Sequence, residues 1–196
     1  MMLNNISSNT YPAPNFRAKF IKKVPVQKLD FATKRYKTTQ ASFVEFEPEN
    51  LQDLKALAKA QSAWDGEFFA ADIVKAAAKM FQGELKQPKN RIFVLTTQSD
   101  DCRNLNKDSI LGMVQMVGGK AALAELKFFQ VRPDLSYNKV HRDYKGVGKA
   151  ILDSIKEIYT KAIKLQSCYS AANFYEKQGF EIMDTGLLMY LWSPKK

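Results

Sequence analysis

Two stretches decide the reading of this 196-residue chain: Arg142-Asp-Tyr-Lys-Gly-Val-Gly-Lys-Ala150 and Cys168-Tyr-Ser-Ala-Ala-Asn-Phe-Tyr-Glu-Lys-Gln-Gly-Phe180. In the first, glycines let successive backbone N–H groups converge, and a helix beginning there adds a partial positive charge, so the turn suits a phosphate group. Arg142, Lys145 and Lys149 place cations at the same spot. Taken alone, the segment reads more readily as a plain turn before a helix. It lacks the Gly-Lys-Ser/Thr ending of a nucleotide-binding loop and completes no dinucleotide fingerprint.

Working outward, Val147, Ile151, Ile155 and Ile158 fall on one helical face, which predicts a helix from the glycine pair through about residue 161. Before it, residues 124–131 form a strand stopped by Pro133. After it come a short strand over 163–167, a short helix over 170–178 closed by Gly179, and a last strand over 186–192. Strand, helix, strand calls for a right-handed crossover between two parallel strands. Upstream, residues 42–46 read as a short strand. Pro48 sits in the first turn of a helix carrying Leu51, Leu54, Leu57 and Ala58, and a second helix over 69–81 ends near Gly83. Residues 91–97 and 110–117 form a hairpin across a polar loop. The pattern is an α/β (α+β) arrangement: a mixed, mainly antiparallel sheet with one parallel crossover, flanked by helices.

Composition bounds the rest. Hydrophobic residues at 45% and charged residues at 26% are ordinary for a globular chain of one domain. With two distant cysteines, Cys102 and Cys168, and a single histidine, His141, neither a disulfide framework nor a zinc site is expected. There is no apolar run of bilayer length and no secretory signal pattern, so a cytoplasmic location is expected. The net charge of +10 is uneven: residues 1–40 hold eight cations against Asp30, a balance of +7, leaving about +3 for the remainder. Residues 1–40 are therefore expected to form a mobile basic arm, and residues 41–196 the folded domain. Such an arm suits nucleic acid, an acidic protein, an anionic lipid surface or simple solubility. Within it, residues 16–20 alternate apolar with basic, as a short edge strand would, although prolines flank them.

Taken together, the two opening stretches resemble the signature regions of the GNAT acetyltransferases, in the right order and at the right separation. In the second stretch the pattern is carried by Ala171, Phe174, Tyr175, Glu176, Lys177, Gly179 and Phe180; residues 124–131 resemble the family's central strand. The resemblance implies an N-acetyltransferase using acetyl-coenzyme A (acetyl-CoA) as co-substrate, with direct transfer to a primary amine in a ternary complex. It implies that Arg142, Tyr144, Lys145, Gly146, Val147, Gly148, Lys149 and Ala150 hold the coenzyme pyrophosphate, and that Phe129, Gln130 and Val131 line the pantetheine. The strands of Phe129 and Leu165 would splay to form the cleft. Two positions depart from the family pattern. Asp143 stands where Gln or Arg is usual, and Cys168 where Asn is frequent.

Acetylating an amine poses two proton problems. An amine of pKa about 10.4 is neutral in only about one molecule in a few thousand at pH 7, a deficit of roughly 4.6 kcal/mol. Glu125, on the central strand, is the base on offer, or else an ordinary sheet-surface charge. Tyr175 is the expected acid for the departing thiolate, or else a packing residue. The acceptor is either a protein amino group or a small molecule. The reading from a different class is a catalytically inactive GNAT-like protein whose basic arm holds nucleic acid or an acidic partner.

Overall fold

The computed structural model describes residues 18–64, 68–99, 104–135 and 142–194. Nine strands form one sheet: β1 (Lys19–Asp30), β2 (Arg35–Glu45), β3 (Asn90–Thr96), β4 (Ile110–Val117), β5 (Ala124–Val131), β6 (Tyr144–Lys145), β7 (Ile163–Gln166), β8 (Glu181–Asp184) and β9 (Met189–Trp192). Their order across the sheet is β6-β1-β2-β3-β4-β5-β7-β9-β8. Every pairing is antiparallel except β5 with β7. This is the mixed sheet with one parallel crossover expected from the sequence.

Among the described residues, four α-helices cover the two faces: α1 (Leu51–Ala63), α2 (Phe68–Phe81), α3 (Val147–Ile158) and α4 (Ala172–Lys177). Because side chains alternate across a strand, neighbouring β3 residues feed different cores. Phe93 and Leu95 join Val147, Ile151 and Ile155 under α3, whereas Ile92 and Val94 join Leu57, Ala60, Ile73 and Ala77 under α1 and α2. Helix α1 begins one turn later than Pro48 suggests. Asn50 is its N-cap, and the Asn50 side chain accepts hydrogen bonds from the N–H groups of Gln52 at 3.0 Å and Asp53 at 3.2 Å. Helix α3 stops at Ile158 rather than near residue 161, and the strand expected over 186–192 is β9, which pairs with an additional strand, β8, just before it.

The largest correction concerns the basic arm. Residues 19–40 are not an appendage, because β1 and β2 form the longest hairpin of the sheet. Val24, Val26 and Ala41 are buried in the core beneath α3. Lys19, Lys23 and Lys28 occupy exposed positions of β1 on either side of Val24 and Val26, so this hairpin has the composition of a tail. Pro25 sits where β1 has no partner other than β2, a place where a sheet accepts proline. The expectations for residues 1–17, including Phe16 and Arg17, lie outside the described residues, as do His141 and Cys102.

Candidate functional site at the strand fork

Strands β5 and β7 are paired only over Ala124–Ile163, Glu125–Lys164 and Leu126–Leu165. Beyond Leu126, β5 runs on to Val131 and, among the described residues, has a neighbour on its β4 side alone. A register shift between Gln115 and Met116 of β4 lies opposite this departure and leaves Lys127 as an extra residue in β5. The bulge changes which side chains face which way. Phe129 and Val131 pack against the core under α3, while Phe128 packs under α2, with its ring 6.2 Å from that of Phe69. The amide of Gln130 is turned back onto the Val131 carbonyl at 2.8 Å. The expected splay is thus present, and Phe129, Gln130 and Val131 form its β5 wall.

The N-terminus of α3 points into the same end of the fork. Gly146 is its N-cap at φ +78°, a left-handed conformation that disfavours side chains, and it makes no side-chain capping bond. The first N–H groups of the helix therefore lack an intrahelical acceptor. Gly148 meets a different constraint: a Cβ there would lie 3.1 Å from Cζ of Phe174 and 3.6 Å from Cγ2 of Val131. Val147 and Ala150 are buried and anchor the turn from below, and the Ala150 N–H closes the first helical bond on the Gly146 carbonyl at 2.9 Å. Nε of Arg142 is buried with no hydrogen-bond partner among the described residues, a donor awaiting an acceptor.

The other cations of this stretch are engaged. Lys149 forms an ion pair with Asp153 at 2.5 Å, and the Lys145 ammonium lies 3.8 Å from the centre of the Tyr36 ring. Tyr144 is half-buried against the core, with Lys28 over its ring at 5.8 Å. The structure thus gathers Arg142, Tyr144, Gly146, Val147, Gly148 and Ala150 at the helix entrance, and turns the charges of Lys145 and Lys149 toward partners within the protein.

Tyr175 lies on α4, 7% exposed, in an aromatic cluster with Phe174 at 5.3 Å, Phe180 at 5.7 Å and Tyr190 at 6.3 Å between ring centres. Burial pushes its phenol well above the ordinary value, and the neighbouring Cys168 thiol adds to the rise. Cys168 itself is exposed and follows β7. Glu125 lies below the fork, in the paired stretch of β5. Its carboxylate takes Lys127 at 3.1 Å and Lys164 at 3.5 Å, so two ammonium groups already occupy it.

Phe174 of the second opening stretch takes a part that its motif alone does not specify. The structure places it as the floor between Gly148 and Phe129, whose ring centre is 6.4 Å away. The signal was available in Gly148, a glycine inside a helix that needs a large neighbour to explain it. A separate hollow of about 420 Å³, lined by Gln178, Gly179, Glu181, Leu191, Trp192 and Ser193, contains none of these groups.

No family model matches the chain, and no curated protein matches it. Solved structures do. An acetyltransferase from Streptococcus agalactiae 2603 matches with a TM-score of 0.53 at 18% identity, over 79% of this chain and 98% of that one. An acetyltransferase of the GNAT family from Staphylococcus aureus Mu50 gives 0.53 at 16%, over 79% and 99%. AtaT, solved as a complex with acetyl-methionyl-tRNAfMet, gives 0.53 at 10%, over 78% and 94%. At these identities the likeness is one of fold, and the fold is that of the GNAT acetyltransferases.

Proposed function

We propose that the chain is an acyltransferase that takes an acetyl group from acetyl-CoA and passes it to a primary amine. The observation that carries this reading is the fork between β5 and β7 with the glycine-capped start of α3 at its mouth. Three features suit a pyrophosphate-bearing ligand: uncapped N–H groups, an unpartnered Arg142 Nε, and a glycine at 148, where a Cβ would crowd Phe174 at 3.1 Å. Arg142, Tyr144, Gly146, Val147, Gly148 and Ala150 hold the phosphates, with Lys145 held beside the turn over the Tyr36 ring and Lys149 free to contribute once Asp153 releases it. Phe129, Gln130 and Val131 line the pantetheine arm, which brings a thioester as acyl donor.

The two candidate proton-handling residues contribute differently. Tyr175 stays protonated across the physiological range, since its pKa is raised. Passing the whole proton to a thiolate with a pKa of about 8.5 is uphill for such a phenol, so its contribution is a hydrogen bond to the departing sulfur. Glu125 acts as base through water, after Lys127 and Lys164 yield to the amine. The acceptor is a protein amino group, a small amine or an aminoacyl ester like that in the AtaT complex, and the exposed cations of β1 and β2 favour one attached to an anionic carrier.

Calorimetry with acetyl-CoA tests the reading directly, followed by an acceptor screen read by thiol release. Wild type is expected to bind. Gly146→Val, which strains the left-handed cap, is expected to weaken binding at least about tenfold with the fold retained. Equal affinities would remove the turn from the site.

A further inference from the structure

The β1–β2 hairpin reaches the stretch that leads into α3 at four places. The Tyr36 hydroxyl donates to the Arg142 carbonyl at 2.7 Å, and the Leu29 N–H donates to the Asp143 carbonyl at 2.7 Å. Strand β6 adds the pairs Lys28–Tyr144 and Gln27–Lys145. The Tyr36 ring also lies under the Lys145 ammonium at 3.8 Å. Two successive carbonyls are thereby pinned, and because a peptide unit is planar, fixing an oxygen also fixes the N–H on its other side. Directly after Lys145, the last residue of β6, comes Gly146, the left-handed cap that begins α3.

Without these ties, residues 142–146 would meet a ligand in many conformations, and binding would have to remove that freedom. The hairpin removes it beforehand. We propose that Tyr36 is a positioning residue for the coenzyme: with the Leu29 N–H, it holds residues 142–146 in the phosphate-accepting geometry and keeps Lys145 at the rim of the turn. This rests on the acetyl-CoA reading above and assigns to the hairpin a part in ligand binding beyond its packing. Asp143, which departs from the family pattern, contributes through its main chain, since its carbonyl is what Leu29 grips.

The experiment compares two probes, coenzyme A by calorimetry and pantetheine, which lacks the phosphates, by NMR titration. Tyr36→Phe keeps the ring and loses one hydrogen bond, and is expected to weaken coenzyme A about fivefold; Tyr36→Ala, which also frees Lys145, about tenfold or more. Neither is expected to change pantetheine binding. In wild type, exchange of the Leu29 amide is expected to slow when coenzyme A is bound. Coenzyme A affinity within twofold of wild type for Tyr36→Ala would overturn the proposal, and so would equal losses for both probes, which indicate a general packing defect. Wild type that binds no coenzyme A removes the acetyl-CoA reading itself, and the positioning role with it.

Discussion

Tyr175 shows how position and ionisation combine in one side chain. Its ring is held on three sides by Phe174, Phe180 and Tyr190, so Tyr175→Phe preserves the packing and removes only the hydroxyl. With an acceptor in hand, kcat of that variant is expected to fall by about 10²-fold or more while coenzyme affinity stays the same. The raised pKa gives a second expectation: no alkaline limb below pH 10 in the rate profile arises from this phenol. Unchanged turnover under conditions where chemistry limits the rate would leave Tyr175 as a packing residue. Gly146 and Gly148 were legible in the sequence because their duties, a left-handed φ and a missing Cβ, can be met by almost nothing else. Tyr36 was not legible. Its partner Arg142 lies 106 positions away, and no local pattern records a bond of that span.

Among the elements, β4 and β5 match their sequence-based limits because apolar runs end sharply at Gly118 and before Pro133. Most of β1 and all of β8 escaped notice for a shared physical reason: β8 is an edge of the sheet and β1 has β6 beside it at two residues alone, and strands so placed carry polar or exposed residues that blur the alternation. All four residues of β8 are exposed, and β1 buries only Val24 and Val26. The consequence for β1 can be measured. Deleting residues 1–35 removes both valines from the core, each contributing roughly 1.5 to 3 kcal/mol, along with the ladder to β2. Against a total stability of about 5 to 15 kcal/mol, the truncated chain is expected to lose cooperative thermal melting and near-ultraviolet dichroism. A truncated protein that melts within a few degrees of full length would return residues 19–35 to the status of an arm.

For the whole molecule, the pH dependence of stability should carry the mark of Asp53. This carboxyl is fully buried in the first turn of α1, and Oδ1 accepts the Leu105 N–H at 2.7 Å. Burial raises its pKa to about 6, against an ordinary 3.8. The folded state therefore keeps a proton that the unfolded state has already released. Stability from this group is complete below pH 4 and declines as pH rises to about 6, by roughly 2 to 3 kcal/mol. Asp53→Asn is expected to flatten the dependence of melting temperature on pH across that window; an unchanged slope would assign it to other groups. The fork between β5 and β7 also has a mechanical meaning. The sheet consists of two plates, one running from β6 to β5 and the other holding β7, β9 and β8, joined by three residue pairs. Helix α3 rivets them. Ile151 sits on Gly112 of the first plate, and Lys156 grips the Gln178 carbonyl and lies over the Trp192 ring on the second. A wedge entering at the open end loads that rivet without tearing a single strand pairing, so the gap can widen or narrow with its occupant while both plates keep their shape.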